Sequence, residues 1–302
     1  METHSLSPRH FTLCAALLFA FPVLSAAQSS STNAAPTEVH PVEDASLHKL
    51  LTKADPTLPT LYLIGDSTMK VGTTGQEGWG DELAPYFDLK KINVVNQAIG
   101  GRSSRTYQTE GRWDAALAMI QKGDYVVIQF GHNDAGAIND NFRARASIKG
   151  VGDDTQEIDN ILTKKHEIVH TFGWYMRKYV TDVQAKGAIP IVMSLVPRNS
   201  WANGKIVRAS GENYGGWAQQ AAQTTGAIFV DHNEIIAEGL DALGPDKTLP
   251  LFGDGKLHAS HTGAQFNARA AVSGLKGIPG NPLGPYFSAA ATDVPAFTGP
   301  PK

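Results

Sequence analysis

Short apolar runs alternate with longer amphipathic segments along most of the chain. Five runs have the Val, Ile and Leu content of strands that are buried on both faces of a sheet, and they predict strands near 61–64, 92–96, 125–130, 189–196 and 227–230. The segments between them carry apolar residues three to four positions apart, which is typical of helices. This spacing predicts helices near 79–87, 113–122, 164–186, 217–224, 234–242 and 262–275.

Strands that alternate with helices of this length imply a parallel sheet with right-handed crossovers. We therefore predict an α/β fold, a three-layer α/β/α sandwich around a five-stranded, mostly parallel sheet, in one catalytic domain at 59–276. The polar 135–160 segment is expected to be an irregular functional loop over the sheet edge. Residues 28–58, rich in Ser, Ala, Thr and Pro, are interpreted as a linker leading into the domain, and 277–302 as a loosely packed Pro/Gly-rich C-terminal tail.

The first residues have the features of a secretory signal peptide. Arg9 and His10 precede an apolar run from Phe11 to Leu24, and small residues at 25–27 suit a cleavage site. We interpret residues 1–27 as a signal peptide and expect a secreted or periplasmic protein. The only cysteine lies inside the apolar run, so the mature chain is expected to contain no disulfide.

Composition and charge indicate which kinds of molecule the protein can bind. With 302 residues and 42% apolar content, the chain can bury the core of one large domain. A formal net charge of −3 gives no basic surface for nucleic acid or for a membrane. No apolar run is long enough to span a bilayer. Small molecules or polysaccharides are therefore the favoured substrates, whereas the oligomeric state is left open.

Polar residues cluster where the predicted strands end. Gly65-Asp66-Ser67 follows the first strand, a Gly100-Gly101 pair the second and Gly131-His132-Asn133-Asp134 the third, and a late loop carries Asp254 and His258. The carboxyl ends of parallel strands meet at one edge of a sheet, where open α/β proteins bind their ligands. A nucleophilic serine needs a base, a group that orients the base, and donors for the oxyanion. The clusters together predict acyl transfer.

These motifs resemble the SGNH (GDSL-type) hydrolases, and within them the rhamnogalacturonan acetylesterases. The resemblance covers nearly all of residues 58–285, and its motifs, in chain order, are Gly65-Asp66-Ser67, Asn96 to Ser103, Arg105, Glu110-Gly111-Arg112, Gly131-His132-Asn133-Asp134 and the Asp254/His258 loop. It implies the flavodoxin-like SGNH hydrolase fold and a serine esterase without cofactor or metal that removes O-acetyl groups from pectic polysaccharide, above all rhamnogalacturonan. Acetyl-xylan and generic short-chain esterases share this machinery and remain an alternative.

The resemblance also implies roles for individual residues. Ser67 would attack the acetyl carbonyl, His258 would act as its base, and Asp254 would orient His258. The oxyanion would be held by the backbone N–H groups of Ser67 and Gly101 and by the side-chain amide of Asn133.

The late loop departs from the family's spacing. The acid usually lies three positions before the histidine, but that position is Gly255, and Asp254 is one step earlier. His261 is a second candidate base; we favour His258 because it precedes the Gly263-Ala264 pair of the last helix by five residues.

Three arginines near the second motif are candidates for substrate binding. Arg102, Arg105 and Arg112 are predicted to pair with the carboxylate of a galacturonic acid unit, since guanidinium binds carboxylate through two parallel hydrogen bonds. The alternative is that at least one of them bonds loop carbonyls and is structural.

One segment favours a different function. His166-Glu167-Ile168-Val169-His170 matches His-Glu-x-x-His, which on a helix would put both histidines on one face as zinc ligands and make Glu167 the base of a metallopeptidase. No third ligand follows in a recognisable context, so this is the weaker hypothesis. A third alternative, a non-catalytic carbohydrate-binding domain, is favoured only by the irregular spacing of Asp254 and His258.

Overall fold

The computed structural model of the chain describes residues 52–299, and all of them belong to one compact unit. The predicted signal peptide and most of the predicted linker lie outside the described residues. The strands are β1 (Thr60–Gly65), β2 (Asn93–Asn96), β3 (Tyr125–Gln129), β4 (Thr155–Asp159), β5 (His166–His170), β6 (Ile189–Met193), β7 (Trp201–Ala202), β8 (Lys205–Ile206) and β9 (Ile228–Val230). The α-helices are α1 (Ser104–Thr109), α2 (Arg112–Met119), α3 (Phe172–Ala185), α4 (Tyr214–Thr225), α5 (His232–Leu243), α6 (Pro245–Thr248) and α7 (His261–Lys276).

The central sheet has five parallel strands in the order β2-β1-β3-β6-β9. Alternate residues of each strand face two separate apolar cores: α5 and α7 cover one face, and α1 to α4 cover the other. The central strands are mostly apolar, which suits strands whose two faces are both buried by helices. The predicted α/β/α sandwich with a five-stranded parallel sheet is confirmed. No helix within residues 52–299 has both the length and the apolar character to span a membrane.

Two predicted helices differ from the structure. The 79–87 segment forms turns and a 3-10 helix at Ala84–Tyr86, because Gly80 and Pro85 interrupt the apolar spacing. The helix predicted for 164–186 begins only at Phe172, where the Thr171 side chain caps it. The preceding residues form β5, which pairs antiparallel with β4. The predicted irregular loop at 135–160 therefore contains one strand of this hairpin.

The C-terminal segment is packed, which contradicts the predicted loose tail for residues 277–299. Leu283, Ala291 and Val294 are buried in the core on the α7 face of the sheet. Phe287 packs against Phe87 with ring centroids 5.1 Å apart. Proline and glycine here shape tight turns and short 3-10 helices that follow the domain surface.

Candidate active site

Ser67 lies in a tight turn just beyond the end of β1. The Asp66 carboxylate accepts hydrogen bonds from the Thr68 backbone N–H at 2.9 Å and from its hydroxyl at 2.8 Å. The Asp66 carbonyl accepts the N–H groups of Met69 and Lys70, both at 3.1 Å. Burial raises the pKa of Asp66, and the two hydrogen bonds from Thr68 oppose this. The turn therefore fixes Ser67 at the carboxyl edge of the sheet, as the strand pattern predicts.

His258 links Ser67 to Asp254. The Ser67 Oγ lies 2.9 Å from His258 Nε2, and His258 Nδ1 lies 2.7 Å from Asp254 Oδ2. The other carboxylate oxygen of Asp254 accepts the backbone N–H groups of Lys256, Leu257 and His258, at 2.8, 2.8 and 3.1 Å. Burial alone would raise the pKa of Asp254, but these hydrogen bonds hold it well below its usual value. Asp254 is therefore ionised beside His258 at neutral pH.

The displaced spacing of the acid is accommodated by the loop backbone. Gly255 adopts φ +72°, a left-handed conformation that glycine enters without steric cost. This turn directs the next backbone N–H groups back toward the Asp254 carboxylate. The side chain of Asp254 thus contacts His258 from four positions earlier in the chain, and no other acid is needed there.

His261 is engaged elsewhere. Its Nδ1 lies 2.5 Å from a carboxylate oxygen of Glu77, and its Nε2 lies 3.0 Å from the amide nitrogen of Gln265. The hydrogen bond and charge of Glu77 raise the pKa of His261. Glu82 is also close, so half-buried Glu77 and Glu82 form a small cluster with exposed His261, the first residue of α7. His258, not His261, faces Ser67.

The segments that carry the predicted oxyanion donors lie at the same edge of the sheet as Ser67. A Cβ atom added to Gly100 would lie 3.5 Å from Ser67 Cβ, so the Gly100-Gly101 segment lies directly against the serine. Asn133 is buried at the end of β3, and its side-chain amide donates to the Arg102 carbonyl at 2.9 Å. This bond uses one N–H of the amide and fixes the side chain, while the second N–H is available to a ligand.

A buried carboxylate follows Asn133 in the chain. Asp134 accepts hydrogen bonds from the hydroxyls of Ser104, at 2.5 Å, and Ser147, at 3.0 Å. Burial raises the pKa of Asp134 to about 6, and the hydrogen bonds from the two serines oppose this. These contacts tie the loop after β3 to the start of α1, and so to the segment that carries Gly101.

Replacing Asn133 by alanine is expected to lower kcat for acetyl-ester hydrolysis by about 10²–10³-fold, because one oxyanion donor is lost while nucleophile and base remain. Steady-state kinetics with p-nitrophenyl acetate would measure this. Asn139→Ala is the matched control: its amide donates to the Asp159 carbonyl, outside the Ser67 environment, and its rate should stay close to that of the parent. An Asn133→Ala variant with unchanged kcat would exclude Asn133 as an oxyanion donor.

The predicted substrate arginines are buried and structural, so this prediction is wrong. Arg102 bonds Glu110 and the Gly100 carbonyl. Arg112 also pairs with Glu110. Arg105 is fully buried and forms two hydrogen bonds, of 2.6 and 2.7 Å, with Glu167. Each guanidinium is buried against partners inside the domain, which the sequence alone does not reveal.

The predicted zinc motif is also not a metal site. His166, Glu167 and His170 lie on β5, not on a helix, and strand geometry separates the two histidines by about 13 Å. They cannot share a zinc ion at that distance. Glu167 is held by Arg105 and by the Asn160 amide. The metallopeptidase hypothesis is therefore discarded.

Two arginines at the same edge were not predicted. Arg145 donates to the Gly101 carbonyl at 2.9 Å. Arg198, which is exposed, follows β6 at the edge that carries Ser67. For Arg198 the signal was available, because it directly follows a predicted strand, as Ser67 and Asn133 do. For Arg145 it was not, because it lies within a long loop whose path depends on tertiary contacts.

Comparisons with known proteins find relatives of this chain. The sequence model of the GDSL-like lipase/acylhydrolase family matches residues 63–266. A rhamnogalacturonan acetylesterase of Emericella nidulans is 39% identical over 212 residues, 70% of this chain and 82% of that protein. Rhamnogalacturonan acetylesterase RhgT of Bacillus subtilis is 27% identical over 239 residues. The aligned region covers 72% of this chain and 91% of RhgT.

A solved structure shares the fold. The crystal structure of the Bacillus subtilis protein YxiM superposes with a TM-score of 0.57 at 28% sequence identity, over 73% of this chain. The match covers 56% of the YxiM chain, so this protein spans little more than half of that structure.

Proposed function

The chain belongs to the GDSL-like lipase/acylhydrolase family, and on this premise we propose that it is a carbohydrate esterase that removes O-acetyl groups from pectic polysaccharide, rhamnogalacturonan in the first place. The observation that carries the chemistry is the chain of hydrogen bonds from Ser67 through His258 to Asp254. The similarity to rhamnogalacturonan acetylesterases supports the substrate.

The reaction proceeds in two acyl-transfer steps. His258 Nε2 takes the Ser67 proton as the hydroxyl oxygen attacks the acetyl carbonyl, and the same nitrogen protonates the departing sugar oxygen. The Ser67 and Gly101 backbone N–H groups and the free N–H of Asn133 stabilise the oxyanion. Water, deprotonated by His258, then attacks the acetyl group on Ser67; the bond to Ser67 Oγ breaks, His258 returns the proton to Oγ, and acetate is released. Asp254 holds the imidazole with its proton on Nδ1, which leaves Nε2 free to accept.

The protein is further proposed to act outside the cytoplasm, in the periplasm or after secretion. The support is the sequence of residues 1–27, with basic residues, an apolar run and small residues in signal-peptide order. A polysaccharide substrate fits this location. Detection of a mature chain shortened by about 27 residues, by mass spectrometry of the exported fraction, would test it.

Acetate release from three substrates compared in parallel tests the function. Acetylated rhamnogalacturonan, acetylated homogalacturonan and acetyl-xylan are incubated with the enzyme at equal acetyl content, and acetate is quantified over time. We expect the highest kcat/KM on rhamnogalacturonan. Fastest release from xylan would replace the pectic substrate by the alternative of an acetyl-xylan esterase and leave the serine chemistry intact. Activity on p-nitrophenyl acetate alone would indicate a generic short-chain esterase.

A further inference from the structure

The carboxyl edge of the sheet carries an exposed positive charge that the acyl-transfer chemistry does not use. Arg198 follows β6, is exposed, and its guanidinium forms no ion pair or hydrogen bond with any residue of 52–299. This distinguishes it from Arg102, Arg105 and Arg112, which are buried with partners. An exposed arginine costs little desolvation when it meets a charged ligand, and its five donors fit a carboxylate.

Arg198 is fixed beside the loop that holds His258. The next residue, Asn199, donates from its backbone N–H to the Lys256 carbonyl at 2.9 Å and from its side-chain amide to the Gly255 carbonyl at 3.0 Å. The Asn199 side chain also accepts from the Trp201 indole at 2.9 Å. These bonds attach the β6 loop to the Asp254–His258 loop, so Arg198 cannot move away from the site independently.

A neighbouring histidine and a lysine define the charges around Arg198. His132 is half-buried near both loops: desolvation, the charge of Arg198 and the charge of His258 together lower the pKa of His132 to about 3. Lys256, whose carbonyl is bonded by Asn199, is also exposed, and its ammonium has no partner among the described residues. The surface next to His258 thus carries two cations on two loops that are joined by hydrogen bonds.

We propose that Arg198, with Lys256 as a second cation, binds the carboxylate of a uronic acid unit of the polysaccharide that lies beyond the sugar from which the acetyl group is removed. The inference rests on the proposed function and makes it more specific, because it requires that unit to be free acid. Arg198 follows a strand that is two positions from β1 in the sheet, a separation of about 10 Å, so its charge meets a part of the polysaccharide that lies away from the ester itself. A guanidinium pairs with carboxylate through two charge-assisted hydrogen bonds.

Two forms of one substrate test this proposal. Acetylated rhamnogalacturonan oligosaccharides are assayed with free carboxylates and after methyl-esterification, which removes the negative charge but keeps the sugars and acetyl groups. The parent enzyme is expected to prefer the free acid. Arg198→Gln should lower the ratio of kcat/KM for the acidic and neutral forms about tenfold, mainly through KM, since a charged hydrogen bond typically contributes this much or more. Arg198→Lys should recover part of the ratio.

The control is Lys186→Gln, which removes one exposed positive charge at the end of α3, next to the amino end of β6 and so at the opposite edge of the sheet. The ratio of kcat/KM for the acidic and neutral substrates should be the same for Lys186→Gln as for the parent. The proposal would be overturned if Arg198→Gln changed kcat/KM for the acidic and the neutral substrate by the same factor, or changed neither. The arginine would then have a structural role or no role in substrate binding.

Binding separates this proposal from the proposed function. Unacetylated oligogalacturonate is titrated calorimetrically into Ser67→Ala and into the Ser67→Ala/Arg198→Gln double variant. Weaker binding by the double variant supports the carboxylate site even if the parent releases no acetate from pectic substrates, the result that would refute the proposed function. Equal affinities, or no binding by either protein, would refute the carboxylate site while leaving the esterase chemistry untouched.

Discussion

Ser67→Ala is expected to lower kcat for acetyl-ester hydrolysis by about 10⁶-fold, and His258→Ala by a similar factor. The two groups act as one unit, because the serine is a poor nucleophile until the imidazole accepts its proton across the 2.9 Å contact. The double variant should therefore be no slower than either single variant. Stopped and continuous assays with p-nitrophenyl acetate, supported by thermal unfolding to verify the fold, would measure all three proteins.

His261→Ala is the matched control for this prediction. It removes a histidine three residues away that contacts Glu77 and Gln265 and does not face Ser67, so its rate should stay close to that of the parent. An inactive His261→Ala with an active His258→Ala would reverse the assignment of the base. Rates for Ser67→Ala and the parent that both equal the uncatalysed rate would instead favour the non-catalytic carbohydrate-binding alternative, and retained catalysis in Ser67→Ala would exclude Ser67 as the nucleophile.

Asp254→Asn is expected to lower kcat by about 10⁴-fold with little change in fold. In the structure one carboxylate oxygen of Asp254 accepts three backbone N–H groups, and the other accepts His258 Nδ1. In the variant the amide oxygen keeps the three backbone bonds, so the NH₂ group faces Nδ1. The imidazole must then accept at Nδ1 and carry its proton on Nε2, toward Ser67, where a base has to be unprotonated.

The matched control is Glu77→Gln, the same acid-to-amide change in the neighbouring Glu77–His261 pair. This pair lies outside the predicted mechanism, so the control should keep nearly the parent kcat. The pH dependence of kcat and a circular dichroism spectrum would be recorded for both variants. Full activity in Asp254→Asn would show that the orienting group is not this carboxylate.

The sheet and the position of Ser67 could be predicted because both follow from simple regularities. Runs such as 125–130 are apolar on both faces only in a covered parallel sheet, and parallel strands bring their carboxyl ends to one edge. Ser67 and Asn133 therefore reach that edge wherever the helices begin and end. The Asp254–His258 contact depends on one left-handed residue, Gly255, so the spacing alone left the role of the acid open.

The errors arose where tertiary contacts decide between local alternatives. The apolar residues of 166–170 suit a strand as well as a helix, and pairing with β4 selects the strand. Arg105 and a surface arginine look alike in sequence, yet Arg105 is buried by its partner Glu167, which lies 62 residues later. Whether a charged side chain is buried depends on such distant partners. The local sequence pattern therefore could not distinguish buried structural arginines from exposed, substrate-binding ones.

The packed C-terminal segment bears on how the protein is made in the cell. The contact between the 84–88 turn and the 284–288 segment includes a hydrogen bond from Ser288 to Pro85 that spans 203 residues of chain. At ribosomal rates of about 5–20 residues per second, the two partners emerge ~10–40 s apart. During that interval the apolar surface around Phe87 is uncovered. A chain that ends before Leu283 would leave this surface exposed. We therefore expect chaperones and proteases to recognise such a truncated chain more strongly than the full-length protein.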